Sequence, residues 1–466
     1  MAAIKNLSGV DVENFTRVDS VAKGDIFTID DVGFEYPMIF NVDTSLTSGT
    51  TSNADQFHLL FDSGTQNFTV FWGDGTNDTI TSASTSSRLH TYPSPGSYRI
   101  VILGDMTNWR TNSPVIPDDQ IKITSVERWG ALGGIVFDFT NAFNDCSNLT
   151  SIAAPKGPNM VGNMSNFLTN CPLVDIIPIE GWDTSQCTRL PGWDSTLNST
   201  PNLGSWDTSS MVALRLANPK NPSGLEFWDT SSLTGLALAF DGNRFFNGDV
   251  TGWDVSGVSN FTFCFYGTRD FVRDLGTWDV SSGTNFSYFM QARQADYDAD
   301  LSNWKINTTP SANINFQGMF NYSGSGPVST DFDTKEVTVG GVTYLAWDMQ
   351  RAQNLSSMKI VGSPTHWDTS NVTTMNGGFS RSYGGSGTLE SQVVTVGTTA
   401  ARTYTTWDVS NCVDFGNCRF QPYHNIYNWK INTTPGAGVN FTGLIGENFS
   451  TDISTKEVTV GASTYI

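Results

Sequence analysis

The chain has 466 residues, enough for two or three domains, yet its charged fraction is only 15% and its formal net charge is −20. An acidic balance of that size excludes a phosphate-backbone partner, so no nucleic acid is expected, and no run of about 18 apolar residues is present to span a membrane. With 14 Trp and 30 Phe among abundant Gly, Ser, Thr and Asn, the composition is that of a turn-rich β protein with a real core.

Residues 1–33 repeat with a period of 11: Leu7, Val18 and Ile29 correspond, as do Val10, Val21 and Val32. A segment with so few apolar side chains cannot build a core alone. It is expected to dock onto other proteins or to bundle copies of the chain, three being the favoured number. The start, Met1-Ala2-Ala3-Ile4-Lys5-Asn6, lacks the apolar run of a signal peptide.

Residues 34–118 read as strands separated by turns. Phe57–Phe61 and Phe68–Trp72 are strand-like, Gly73-Asp74-Gly75-Thr76 is a turn, and His90-Thr91-Tyr92 precedes Pro95-Gly96-Ser97-Tyr98. This combination resembles the PKD-type β-sandwich, which implies a spacer or a module contacting proteins and glycans rather than an enzyme. Asp74 and Asp78 could hold a cation, but a turn rich in Gly and Asp is usually just a turn.

Residues 119–466 are organised by Trp. Trp-Asp-Thr-Ser or Trp-Asp-Val-Ser begins at Trp182, Trp206, Trp228, Trp253, Trp278, Trp367 and Trp407, with looser copies at Trp304, Trp347 and Trp429. From Trp182 to Trp304 the spacings are 24, 22, 25, 25 and 26, then 43, 20, 40 and 22. A period in the twenties means one supersecondary unit repeated and stacked. Eight residues after the Trp stands Leu190, Leu214, Leu236, Phe261, Phe286, Leu355, Met375 or Phe415; in the two Trp-Lys-Ile-Asn copies, four residues longer, Phe316 and Phe441 take that slot. Five after it the residue is mostly small and apolar, as in Cys187, Met211, Leu233, Val258, Val372 and Cys412. Stacked coils would turn these slots into ladders with a rung of about 4.8 Å. The Asp that follows the Trp in the other copies suits a tight turn, its carboxylate accepting the N–H two residues on.

Lys335–Tyr344 reads as strand, Gly-Gly turn, strand, and 393–404 and 456–465 repeat that hairpin. The phrase Ala142-Phe143-Asn144-Asp145-Cys146-Ser147-Asn148-Leu149, Phe246-Asn247-Gly248-Asp249 before Trp253, and Trp367-Asp368-Thr369-Ser370-Asn371-Val372-Thr373-Thr374-Met375 resemble the BspA-like leucine-rich-repeat surface proteins. The expected fold is thus mainly β: an N-terminal segment, a PKD-like β-sandwich, then a leucine-rich-repeat-like parallel β-solenoid with hairpin inserts.

No catalytic, cofactor or metal constellation stands out, and no cofactor is expected. Most Asp are repeat-slot residues, one per coil; Asp296, Asp298 and Asp300 cluster, yet Asp300 belongs to the repeat. The six Cys read as buried thiols and the four His as structural or surface residues. The regular Trp spacing favours core packing over a sugar-stacking platform. Recognition is expected instead in the irregular places: 191–224, the hairpin inserts, and the loop carrying Arg381 and Tyr383. The period-11 leader resembles the short leaders of phage appendage proteins. Taken together, the expectation is a non-enzymatic structural or adhesion protein of a bacteriophage virion, a fibre or a capsid or tail decoration. Residues 1–33 would contact other virion proteins, and the solenoid would bind a host-surface glycan or protein. A secreted bacterial surface adhesin is the alternative, and a glycan depolymerase the third.

Overall fold

The computed structural model describes residues 37–61, 66–82, 88–106, 109, 118–129, 140–152, 162–163, 166–172, 184–185, 187–190, 202–216, 221–291, 300–320, 330–358, 364–378, 389–418, 428–431 and 438–442, together with short strands in 6–33 and 458–465. The chain divides into two compact units, Met1–Ser210 and Met211–Ile466. It is mainly β, built from short strands joined by turns.

Each 11-residue unit of the leader forms one hairpin of two-residue strands. β1 (Asn6–Leu7) pairs with β2 (Val10–Asp11), β3 (Arg17–Val18) with β4 (Val21–Ala22), and β5 (Thr28–Ile29) with β6 (Val32–Gly33). The two apolar series of the sequence repeat are cross-strand partners within each unit: Leu7 with Val10, Val18 with Val21, Ile29 with Val32.

Next come β7 (Met38–Asp43), β8 (Gln56–His58), β9 (Gln66–Phe71), β10 (Asn77–Ile80), β11 (Leu89–Thr91), β12 (Ser97–Met106), β13 (Ile123–Trp129) and β14 (Ser151–Ile152). They form a six-stranded sheet in the order β10-β9-β12-β7-β13-β14 and a two-stranded sheet β11-β8. Alternation turns Phe40, Val42, Phe68, Val70, Ile100 and Ile102 inward, and all are buried. Phe40 meets Phe57 of the smaller sheet with ring centroids 6.1 Å apart. β13 lies beyond the boundary expected at residue 118, yet it pairs antiparallel with β7 on one side and parallel with β14 on the other. The hydrogen-bonded sheet therefore runs on into the first copies of the repeat.

Buried polar groups lock this unit. Lys122 has no exposed side-chain surface, and its ammonium donates to the carbonyls of Ser52, Asn53 and Gln56 and to the Ser52 hydroxyl at 2.8–3.1 Å. Asp119, equally buried, stands 3.4 Å from that ammonium and accepts the Ser52 and His58 N–H groups. Desolvation depresses the Lys122 pKa, and the Asp119 charge opposes the fall.

In the second unit one residue per coil bridges to the next in parallel: Ala213, Gly235, Asn260, Asn285, Asn315, Asn354, Thr374, Asp414 and Asn440. The slot residues just beyond carry the same ladder; for example, the Phe261 N–H donates to the Asn285 carbonyl at 2.8 Å and that of Phe286 to Asn315 at 2.8 Å. The slots fill the core as the spacing implied. Leu236, Phe261, Phe286, Phe316, Leu355, Met375 and Phe415 are buried, and Phe441 on the last described rung is exposed. Parallel rings stack Phe261 on Phe286 at 5.0 Å, Phe286 on Phe316 at 5.3 Å and Phe415 on Phe441 at 5.3 Å. Gly283 occupies the small slot of its coil because a Cβ there would come within 2.3 Å of the Phe286 ring.

Candidate binding surface

The Trp of the repeat are interior residues. Trp206, Trp228, Trp253, Trp278, Trp304, Trp347, Trp367 and Trp407 are buried, and Trp429 is half-buried. Trp182 lies outside the described residues. Their rings stack from coil to coil, Trp228 on Trp253 at 5.8 Å and Trp407 on Trp429 at 6.0 Å. A sugar-stacking role for this row is thereby removed, since its faces are already covered.

Each indole also does something the spacing did not disclose. The N–H of Trp253 donates to the Leu225 carbonyl, that of Trp278 to Val250, that of Trp304 to Leu275 and that of Trp347 to Leu301, all at 2.8–2.9 Å. In these four the acceptor stands three residues before the Trp of the preceding coil. A buried indole needs a partner, and here the partner ties adjacent coils together. The hairpins enter at this same point. Trp367 donates to Phe332 and Trp429 to Leu389, residues that stand just ahead of the hairpins 335–346 and 393–405. In plain coils the Trp N–H closes a short turn, as Trp278 does onto Leu275 at 3.1 Å. After a hairpin it reaches the Trp carbonyl of an earlier coil instead, Trp347 to Trp304 and Trp407 to Trp367.

The turn chemistry expected of the Asp is present. Asp207, Asp229, Asp254 and Asp368 each accept the N–H two residues on at 3.0–3.1 Å and the Ser hydroxyl at 2.6 Å. Asp300 accepts the Ser302 N–H at 2.9 Å in a like turn; Asp296 and Asp298 fall outside the described residues. In the first unit Asp74 holds Thr76 and His90, and Asp78 accepts the Trp72 indole N–H, so the two are engaged separately. The Trp72 and His90 rings stack at 4.4 Å, which joins the strand before the Gly73–Thr76 turn to the His90-Thr91-Tyr92 segment. All six Cys are buried thiols outside any disulfide. Among the described residues no group of His, Cys, Asp and Glu could hold a metal ion, and no helix is long and apolar enough to cross a membrane.

Two features at the surface of the described residues stand out. The first is the pair of hairpins. Glu336 of the earlier one reaches the turn of the later, accepting N–H groups from Thr398, Thr399 and Ala400 at 2.6–2.8 Å and the Thr398 hydroxyl at 2.8 Å. These bonds, led by that from Ala400, hold its carboxyl at about 2. Arg402 joins Asp348 to Asp368 across successive repeats, and burial raises the Asp348 pKa against the pull of Arg402.

The second is a row of left-handed residues, one per coil, that sequence reasoning passed over. Leu238, Phe263, Tyr288, Gly318, Ser357, Gly377 and Asn417 have φ of 60, 54, 52, 59, 56, 67 and 58°. Gly and Asn accept this conformation readily; Ser, Leu, Phe and Tyr are disfavoured there by about 1–2 kcal/mol each. The signal was the mismatch of residue type at one repeat position. Phe263 and Tyr288 are half-exposed and stack at 4.9 Å, 11° from parallel. Tyr266 lies 5.0 Å from Phe263 and 6.5 Å from Tyr288, at 77° and 87° to them. Asp241 holds the Tyr266 position one coil earlier, as the Gly242 N–H bond to the Tyr266 carbonyl at 2.8 Å fixes. The Asp241 carboxylate makes no hydrogen bond among the described residues, and desolvation raises its pKa against Arg215.

The expected binding residues Arg381 and Tyr383 lie outside the described residues, and 191–224 is described only at 202–216 and 221–224. Residues 137–217 and 215–330 match a family described as Mycoplasma protein of unknown function, DUF285. No curated protein and no solved structure matches the chain.

Proposed function

We propose that this chain is a non-enzymatic structural and adhesion protein of a bacteriophage virion, a fibre or a capsid or tail decoration. In this reading a leucine-rich-repeat-like parallel β-solenoid with hairpin inserts follows a PKD-like β-sandwich and presents a rigid surface to a host or environmental glycan or protein. The observation that carries it is the division of labour within the repeat. Trp and Phe are consumed in holding coil to coil and the turn Asp in closing their own turns, which leaves the inserts and the left-handed row as the variable, solvent-facing part. The leader supports a docked assembly. Three hairpins of two-residue strands are too short to stand alone, so residues 1–33 would be held by other virion proteins or by further copies, with three copies favoured.

Mass spectrometry of purified phage particles tests the location. The chain is expected among the virion proteins, and removal of residues 1–33 is expected to abolish its incorporation. Absence from particles overturns the reading. Incubation with a panel of cell-surface polysaccharides tests the chemistry: no reducing ends or unsaturated sugars are expected, and sustained turnover of any member would establish a depolymerase. A second reading, a bacterial surface adhesin, is favoured by the match of 137–330 to a family described from Mycoplasma. Finding the chain on a bacterial envelope and not in particles would establish it.

A further inference from the structure

Cys146 and Cys171 occupy one place in two successive coils. Their register follows from the backbone. In the later coils the Phe261 N–H bonds the Asn285 carbonyl, and the residue bridged to Asn285 is the one before, Asn260. Here the Phe143 N–H bonds the Phe167 carbonyl at 3.0 Å and the Asp145 N–H bonds that of Thr169 at 2.9 Å. The same rule sets Ala142 opposite Phe167 and Asn144 opposite Thr169, and two residues on it sets Cys146 opposite Cys171. Backbone conformation repeats at that offset. Asn141 and Asn166 are left-handed at φ of 59 and 56°, and so are Asp145 and Asn170 at 62 and 59°, one residue ahead of each Cys.

The two thiols meet in the interior, where both side chains are fully buried. Cys171 donates its S–H to the Phe143 carbonyl at 2.9 Å, and the Cys146 N–H reaches that same carbonyl at 3.4 Å. The Cys171 thiol is within hydrogen-bonding reach of the Cys146 thiol, and burial together with that neighbour pushes the Cys146 pKa up. Neighbouring rungs stand about 4.8 Å apart, inside the Cα separation of about 4.4–6.8 Å that a disulfide needs. Cys187, by contrast, is paired with Gly162.

We infer that Cys146 and Cys171 are a disulfide site, at which oxidation staples two successive coils together. The oxidant is a small disulfide such as oxidised glutathione. One cysteine thiolate attacks it, releasing one glutathione thiolate and leaving a mixed disulfide; the other cysteine thiolate then attacks the protein sulfur of that bond and releases the second. The two cysteine protons pass to the two glutathione thiolates, so two thiols are oxidised and one disulfide is reduced. Full burial shields the pair in the closed coils, so the bond forms as the coils close during folding. The stapled coils are those tied to the sandwich core: the Trp109 indole N–H donates to the Ala142 carbonyl at 2.7 Å, and its ring lies 6.0 Å from Phe143 and 5.2 Å from Phe40. The inference goes beyond the adhesion reading and is independent of it, since virion and cell surfaces are both oxidising surroundings.

The test refolds the full chain from guanidinium in a glutathione redox couple and, in parallel, in excess dithiothreitol. Production in cells with an oxidising or a reducing cytoplasm makes the same comparison without refolding. Free thiols are alkylated and the unreduced peptides are read by mass spectrometry. A link between Cys146 and Cys171 is expected as the dominant disulfide of the oxidised chain. The oxidised chain is expected to melt several degrees above the reduced one. Cys146→Ala and Cys171→Ala are each expected to melt at the same temperature under both conditions. The inference is overturned if the pair stays unlinked by both routes, if another pairing dominates, or if the linked chain melts no higher than the reduced one.

Discussion

The rings of Phe261 and Phe286 lie parallel to within 6° and 5.0 Å apart, although 25 residues of chain separate them. Both are fully buried, and each belongs to a row that continues through Phe316. Substituting either by Ala removes a buried ring and leaves a cavity in a rigid stack. A loss of about 3–5 kcal/mol is expected, to be read in urea denaturation of the full chain. An unchanged transition in both variants would contradict the ladder.

Trp278→Phe separates the indole hydrogen bond from the stacking. The ring is largely kept, but the Val250 carbonyl loses its donor in a buried place. A cost of about 1–3 kcal/mol is expected. Amide exchange should quicken in the coil that carries Val250 more than in distant coils, because the bond ties neighbours only.

Lys122 and Asp119 present a different case, a satisfied charge pair with no solvent access. Lys122→Met strands the Asp119 charge and three carbonyl acceptors, and about 3–5 kcal/mol of destabilisation is expected. Arg99→Ala is the matched control. Its ion pair with Glu127 is half-exposed, so the change should stay below about 1 kcal/mol. Thermal melts of the two variants side by side check the contrast.

Glu336 gives a pH prediction with a definite sign. Its folded carboxyl titrates at about 2 against an ordinary 4.5 because backbone and hydroxyl donors of the later hairpin favour the charged form. The contribution is therefore complete above the ordinary value and lost as pH falls through the folded one. At pH 7, Glu336→Gln should raise amide exchange at Thr398, Thr399 and Ala400. Near pH 2 the variant and the parent should approach each other. Equal exchange at pH 7 would show that the clasp does not hold the turn.

What could be read from the residues followed from repetition. The slots of Leu236, Phe261, Phe286 and Met375, the turn bonds of Asp229 and Asp254, and the hairpins at 335–346 and 393–405 all recur, and a recurring residue type at fixed spacing reports one environment. The leader shows the same logic, since Val10, Val21 and Val32 are each the cross-strand partner of the residue three earlier. The indole bonds were hidden because their acceptors are backbone carbonyls, which no residue type marks. The pairing of β13 with β7 was hidden because strand partners are chosen by topology and not by local sequence. The left-handed row was hidden for the opposite reason: its residue type changes from coil to coil, and a reading built on recurrence discards what does not recur.

The hairpins bear on how this chain can be altered. Both enter between the carbonyl that receives an indole and the Trp that follows, and in both cases the coil closes again around them, Thr334 bonding the Trp347 carbonyl and Ser391 the Trp407 carbonyl at 2.7 Å. Measured against the three-residue step from Leu275 to Trp278, the stack thus tolerates 12 extra residues between Phe332 and Trp347 and 15 between Leu389 and Trp407 without losing its rung. Short coils such as the one turning from Leu275 to Trp278 offer the same address unfilled. A foreign hairpin grafted there, flanked by the Thr or Ser that seals its base, would be carried as cargo by a scaffold already shaped to display it.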